Sequence, residues 1–311
     1  MRYAPLHADV ADGPDAGAAH WLKTTDHAQI RVGHWVSDAD RGTVLLLPGR
    51  TEYIEKYGRA AAELRARGYA TVTIDWRGQG LSDRATLDRA TGHVANFGDF
   101  QKDVAAMLTH ARDLGLPKPF YMIAHSMGGA IGLRALIEGL PVRAAVFSAP
   151  MWGIQMSAAL RPFAWGISSL ALRVGLDTRM APGQERENYL TRIGVEENTL
   201  TSDAEMFGHM QRQIETYPDL GLGGPSLRWL NESLIDMRRI SRLASPRVPA
   251  TTFLGTAEVI VDTARIHDRM ARWPGSTLEI VDGGKHETMM EGPVIRQRFF
   301  DTAAALFDAH P

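Results

Sequence analysis

The run Phe120-Tyr-Met-Ile-Ala-His-Ser126-Met-Gly-Gly-Ala130 sets a serine between an apolar strand pattern and a helical one. Small residues, Ala124 and Gly128, stand two positions to either side of it. This is nearly the nucleophile-elbow pattern G-x-S-x-G, with alanine for the first glycine. The reason for such a pattern is steric. A serine exposed on a sharp strand-to-helix turn needs neighbours small enough for the backbones to pass closely. The helix that follows offers free N–H groups and a positive dipole end to a developing anion. The chemistry implied is attack by Ser126 on a carbonyl.

A serine hydroxyl is a poor nucleophile without a base. In sites of this kind an acid and then a histidine follow the serine, each at the end of a later strand. His286 stands after the apolar run Thr277–Val281 and a glycine loop, Asp282-Gly-Gly-Lys285, and is the expected general base. His125 adjoins the serine, but neighbouring side chains on that turn point apart, so it reads as structural. His267 falls within a helix pattern and reads as solvated. For the acid, Glu258 emerges directly from the end of the run Thr251–Leu254 and is expected to orient the imidazole. Asp262 competes with it, and has its own reading as N-cap of a helix starting at Thr263. The tetrahedral oxyanion needs two backbone donors. The N–H of Met127, after the nucleophile, is one; the N–H of Arg50, in the loop Leu47-Pro-Gly-Arg50-Thr-Glu-Tyr53, is the other. The Arg50 side chain is left for another task.

These residues must be carried by buried strands. Thr43–Leu47, Ala70–Ile74, Phe120–Ala124, Ala144–Phe147, Thr251–Leu254 and Thr277–Val281 are short apolar runs that suit strands covered on both faces. Before them Ile30, Val32, His34 and Val36 alternate up to a turn at Asp38–Gly42. Helical spacing joins Ile54, Tyr57, Ala61 and Leu64, with Gly68 as the cap. It recurs at Ile266, Met270 and Trp273, and at Ile295, Phe299, Ala303 and Leu306. Strands alternating with helices predict an α/β fold with a mostly parallel central sheet.

The alternation stops once. Residues 151–242 lack a buried-strand run and read as a helical cap inserted into a core of residues 21–150 and 243–311. Residues 151–240 hold six of the 13 methionines and three of the seven tryptophans, which suits either an adaptable apolar wall or the insertion's own small core. Residues 1–20, rich in Ala, Asp and Gly, read as a loose N-terminal tail.

Composition narrows the partners. Across 311 residues, 34 Lys and Arg against 36 Asp and Glu give a net charge of −2, without the basic surplus of nucleic-acid-binding proteins. There is no cysteine, so disulfides, thiolate catalysis and Cys-ligated metal sites are excluded. The start lacks a cationic stretch followed by an apolar run, and no window is apolar enough for a membrane span. A cytoplasmic location is the expectation. No His-x-His, His-Glu-x-x-His or phosphate-cradling glycine loop appears, so neither a metal nor a cofactor is expected.

Four blocks carry a resemblance to the α/β-hydrolase superfamily, in its branch of bacterial lysophospholipases and monoacylglycerol lipases. They are Pro48-Gly-Arg-Thr-Glu-Tyr53, Asp75-Trp-Arg-Gly-Gln-Gly-Leu-Ser82, Ala124-His-Ser-Met-Gly128, and Gly255-Thr-Ala-Glu258 with Gly283-Gly-Lys-His286. The chain departs from the family by Pro48 where histidine is common, by Ala124, and by glutamate where aspartate is commoner. The resemblance implies a helical cap between the sixth and seventh core strands, no cofactor, and cleavage of carboxylic esters through an acyl-enzyme. The expected substrate is a lipid-like ester with one acyl chain, a lysophospholipid or monoacylglycerol, with peripheral membrane contact through the cap. A haloalkane dehalogenase or epoxide hydrolase would need aspartate in place of Ser126. An acyltransferase or a cofactor-free haloperoxidase would share the triad, and a non-catalytic ligand receptor would keep only the fold.

Overall fold

The computed structural model describes residues 2–36, 41–157 and 159–311, so most of the expected turn at Asp38–Gly42 lies outside the described residues. Nine strands form one sheet among them: β1 (Arg2–Ala4), β2 (Ala18–Lys23), β3 (Gln29–Trp35), β4 (Thr43–Leu47), β5 (Ala70–Asp75), β6 (Phe120–His125), β7 (Ala145–Ser148), β8 (Ala250–Gly255) and β9 (Ser276–Val281). Their order is β1-β2-β3-β5-β4-β6-β7-β8-β9. From β5 to β9 all neighbours are parallel, and β1 to β3 add an antiparallel edge. Every apolar run read as a buried strand forms a strand, but β9 is an edge strand buried only at Val281 and is not covered on both faces. β4, β5, β6 and β7 are buried at each position, because helices lie on both faces.

The crossovers include helices Gly58–Ala66, Phe100–Asp113, Ser126–Ile137 and Thr263–Ala271, and the helix Pro293–Asp308 follows the last strand. Gly68, at φ 87°, turns the chain after the first of these, as its spacing predicted. One core cluster is centred on Leu45, Leu47, Met122, Ile131 and Phe147, and a second, around Val44, Ile123, Phe253 and Phe299, lies under the last helix.

Between β7 and β8 the chain makes the helices Leu160–Arg173, Tyr189–Arg192, Ala204–Thr216 and Leu227–Ile240, with no strand of the sheet. The helix Ala204–Thr216 is tied to the core through Glu205, which accepts from Arg59 at 2.6 Å, and through Gln213. Gln213 Oε1 accepts from the Tyr53 hydroxyl at 2.9 Å, and its Nε2 donates to Val10 O at 2.8 Å.

A loose tail is the expectation over residues 1–20, and residues 2–20 differ from it. β1 pairs with β2, a helical turn spans Ala8–Ala11, and β2 starts at Ala18. The small residues serve close approach rather than freedom. A Cβ on Gly17 would stand 2.3 Å from Trp35 Nε1, and one on Gly58 would stand 2.0 Å from Ala11 O.

Candidate active site

Ser126 is the first residue after β6, at φ 47°, where a side chain is strained. The turn is tight against its surroundings. A Cβ on Gly128 would meet Leu47 O at 2.2 Å, and one on Gly129 would meet Pro150 Cβ at 2.5 Å, so both positions exclude any larger residue. The Met127 N–H lies in the first turn of the helix Ser126–Ile137, where N–H groups have no intrahelical partner.

His286 and Glu258 come together from loops after β9 and β8. His286 Nδ1 is 2.7 Å from Glu258 Oε2. The other carboxylate oxygen accepts from the N–H groups of Ile260 at 2.6 Å and Val261 at 3.1 Å. Burial opposes ionisation of Glu258, yet the hydrogen bond and charge of His286, with the two backbone donors, hold it below the usual carboxylate range. The glutamate is fixed as an anion that orients one ring nitrogen. Ser126 and His286 line the same cavity. They form no direct hydrogen bond there; such bonds are often long before substrate tightens the site.

Asp262 stands at the N-cap position of the helix Thr263–Ala271 without a side-chain cap bond. It accepts instead from Arg161 Nη2 at 3.2 Å, a link between cap and core. Neither of its readings as triad acid or capping side chain describes its contacts. His125 sets its Nδ1 3.0 Å from Ser148 O, and burial lowers it to about 3. His267 is exposed.

The loop carrying Arg50 is braced from three sides. Glu52 accepts from the Gly49 N–H, from the Tyr57 hydroxyl and from Lys56 Nζ at 2.7 Å. Lys56 pairs in turn with Glu287 at 2.7 Å. Gln79 donates to Gly49 O and accepts from the Thr51 N–H, both at 3.1 Å. The Arg50 N–H between these anchors has no partner among the described residues. Glu52 and Gln79 were not assigned roles from sequence. Both sit inside the blocks Pro48–Tyr53 and Asp75–Ser82, and that recurrence of polar residues beside glycines was the available signal. The Asp75–Ser82 block is a folded brace: a Cβ on Gly80 would overlap Asp75, which accepts from Arg31, Ile54 and Leu81.

The Arg50 side chain reaches into the cap. Its Nη1 donates to Gly223 O at 2.9 Å, and the guanidinium lies 5.6 Å from the Trp229 ring centre. It makes no ion pair with a carboxylate among the described residues, and burial lowers it to about 10.

Two cavities meet at Ser126. One, of about 540 Å³, is lined by Met151, Met156, Phe163, Ile167, Trp229 and Leu230. The other, of about 230 Å³, is lined by Lys56, Gln184, Glu185, Asn188, Arg192 and His286. Ser126 and Arg50 belong to both. The methionines divide accordingly: Met151 and Met156 face a cavity, whereas Met206 and Met210 are packed in hydrophobic cores.

Residues 38–293 match the family described as Serine aminopeptidase, S33. The chain belongs to that family. The S33-family chain is 29% identical over 300 residues to lysophospholipase L2 of Escherichia coli strain K12, across 92% of this chain and 86% of that protein. It is 27% identical over 261 residues to a probable lysophospholipase L2 of Haemophilus influenzae, across 83% and 81%. A soluble variant of the Saccharomyces cerevisiae monoglyceride lipase, solved with a substrate analogue, superposes with a TM-score of 0.71 at 20% identity over 94% of each chain. A thermostable carboxyl esterase from Bacillus coagulans gives 0.76 at 13% identity, over 96% and 99%. At those identities the likeness establishes the fold, that of an α/β-hydrolase. Family and relatives together make this S33-family chain a carboxylic ester hydrolase.

Proposed function

We propose that the protein cleaves single-chain lipid esters, with lysophospholipids as the preferred class, through an acyl-enzyme on Ser126. His286 takes the hydroxyl proton as general base and returns it to the leaving alcohol. Glu258 holds the imidazole in the tautomer that presents its free nitrogen to the serine and stabilises its charged form. The N–H groups of Arg50 and Met127 receive the oxyanion. Water, activated by the same imidazole, then releases the fatty acid.

The observation that carries this reading is the position of Ser126 where an apolar cavity joins a second one with several charged and polar side chains in its wall. A substrate with an acyl chain on one side of its ester and a hydrated head group on the other fills both. The Arg50 guanidinium at that junction has no carboxylate partner among the described residues, which favours a phosphate-bearing head group over glycerol alone. The test is a hydrolysis panel of p-nitrophenyl esters from C2 to C16, with lysophosphatidylcholine and monoolein. Turnover that rises with chain length and favours the lysophospholipid is expected. Restriction to short soluble esters overturns the lipid reading, and failure of a fluorophosphonate to label Ser126 overturns the catalytic one.

Substrate of this kind resides in bilayers, and the cap is suited to meet one. The helix Leu160–Arg173 exposes Leu160, Phe163, Ile167 and Leu170 at helical spacing, continued by Val174. Leu160, Phe163 and Ile167 also line the apolar cavity, so the face that would enter a lipid surface is the wall of the acyl site. Arg161 and Arg173 on the same helix favour an anionic surface. No helix among the described residues is long and apolar enough to cross a membrane, so contact is peripheral in this proposal.

A further inference from the structure

Three histidines meet in the interior, away from the cavities around Ser126. His20 lies on β2, His34 on β3 and His110 on the helix Phe100–Asp113. In the β2–β3 register His34 is opposite Ala18 and His20 is opposite Val32, so both histidines project from the same face of the sheet. The helix supplies the third from its buried side, one turn beyond Met107. The residues are 5%, 8% and 3% exposed. Ring centres lie 5.4, 4.9 and 6.1 Å apart, and one ring nitrogen from each falls within 4.8 Å of the others.

An independent observation marks the same three side chains. His20 Nδ1, His34 Nδ1 and His110 Nε2 are buried without a hydrogen-bond partner among the described residues. Interior polar groups are ordinarily paired, and three orphaned nitrogens converging from three elements need a common explanation. Burial also keeps the rings neutral, lowering His34 and His110 to about 4, so each retains a lone pair to donate at neutral pH.

We propose that His20, His34 and His110 bind one divalent transition-metal ion, with zinc the best fit to an all-imidazole set. Imidazole suits zinc, copper, nickel and cobalt, whereas magnesium and calcium require oxygen donors. A tetrahedral zinc about 2.0–2.1 Å from each nitrogen asks for nitrogens about 3.4 Å apart, a short inward turn of the rings. Water completes the coordination. None of the three histidines lines a cavity shared with Ser126, so the ion is structural: it fastens the antiparallel edge of the sheet to the helix that covers it.

The test uses the full chain, stripped with a chelator and titrated calorimetrically with Zn²⁺ and spectroscopically with Co²⁺. One ion per chain is expected, with a higher Tm in zinc and visible cobalt bands of tetrahedral intensity. His110→Leu should abolish both, while His110→Cys, which restores a ligand, should bind and add a thiolate-to-cobalt charge-transfer band. Fluorophosphonate labelling of Ser126 in each variant reports that the fold persists. Equal uptake by wild type and His110→Leu, or cobalt bound without tetrahedral bands, overturns the proposal.

Discussion

At the scale of single residues, the proposed chemistry depends on few atoms. Ser126→Ala and His286→Ala should each remove nearly all ester turnover while circular dichroism and Tm stay near wild type; substantial residual turnover in either would reassign the site. Glu258→Gln keeps the shape of the side chain but not the charge that selects the tautomer of His286. A loss approaching 10⁴-fold in kcat is expected by comparison with the same change in other serine triads. Asp262→Asn should leave kcat within a few fold, since its contact is with Arg161 and not with the histidine. Glu52 is a positioning residue. By holding the Gly49 N–H and pairing with Lys56 it would, in the proposed mechanism, aim the next peptide at the oxyanion. Glu52→Gln should lower kcat by up to about 10²-fold with little change in KM, because a misdirected donor is lost only in the transition state. Arg50→Met should instead raise KM for lysophosphatidylcholine far more than for monoolein, its guanidinium being the part that meets the head group.

At the scale of elements, the elbow and the cap impose opposite demands. The strand–turn–helix at β6 tolerates no added volume. Gly128→Ala would drive a methyl group into Leu47 O, and should destabilise the protein by about 1–3 kcal/mol in urea unfolding, with an accompanying loss of activity. The cap helix Leu160–Arg173 carries apolar side chains that the fold itself does not bury. Phe163→Ser should therefore leave Tm unchanged while weakening co-sedimentation with anionic vesicles and turnover of vesicle-borne substrate. Unaltered binding to such vesicles would count against the helix as the contact surface. The same residues serve as outer face and cavity wall, which under the proposed function would couple arrival at a lipid surface to entry of the acyl chain.

At the scale of the whole molecule, the interior titrates as well as packs. Burial lowers His34 and His110 to about 4, against an unfolded value near 6.5. Between those values the unfolded chain binds more protons than the folded one, so stability falls as pH drops from about 6.5 towards 4 and this contribution levels off below. Urea midpoints measured on the chelated protein across that window should decline more steeply for wild type than for His110→Leu. Glu258, held below its usual range, adds stability that is lost only at lower pH.

The residue types, their order and the hydrophobic periods were enough to place the parallel strands, the elbow, the insertion and the candidates Ser126, His286 and Glu258. Those features are local: a strand covered on both faces is mostly apolar, and a tight turn must be small on both sides. What lay beyond the sequence concerns contacts between distant segments. The Ala- and Gly-rich start reads as a flexible tail until Trp35 is seen packed against Gly13 and Gly17. Asp262 has the composition of a helix cap, yet Arg161, 101 residues away, takes its carboxylate. Gln79 reaches the loop after β4, and His20, His34 and His110 converge, only because the sheet order sets β5 beside both β3 and β4 and the helix Phe100–Asp113 lies over β5. Local pattern determines which element forms; the partner of a buried polar atom is decided by which elements the folded chain brings within hydrogen-bond reach.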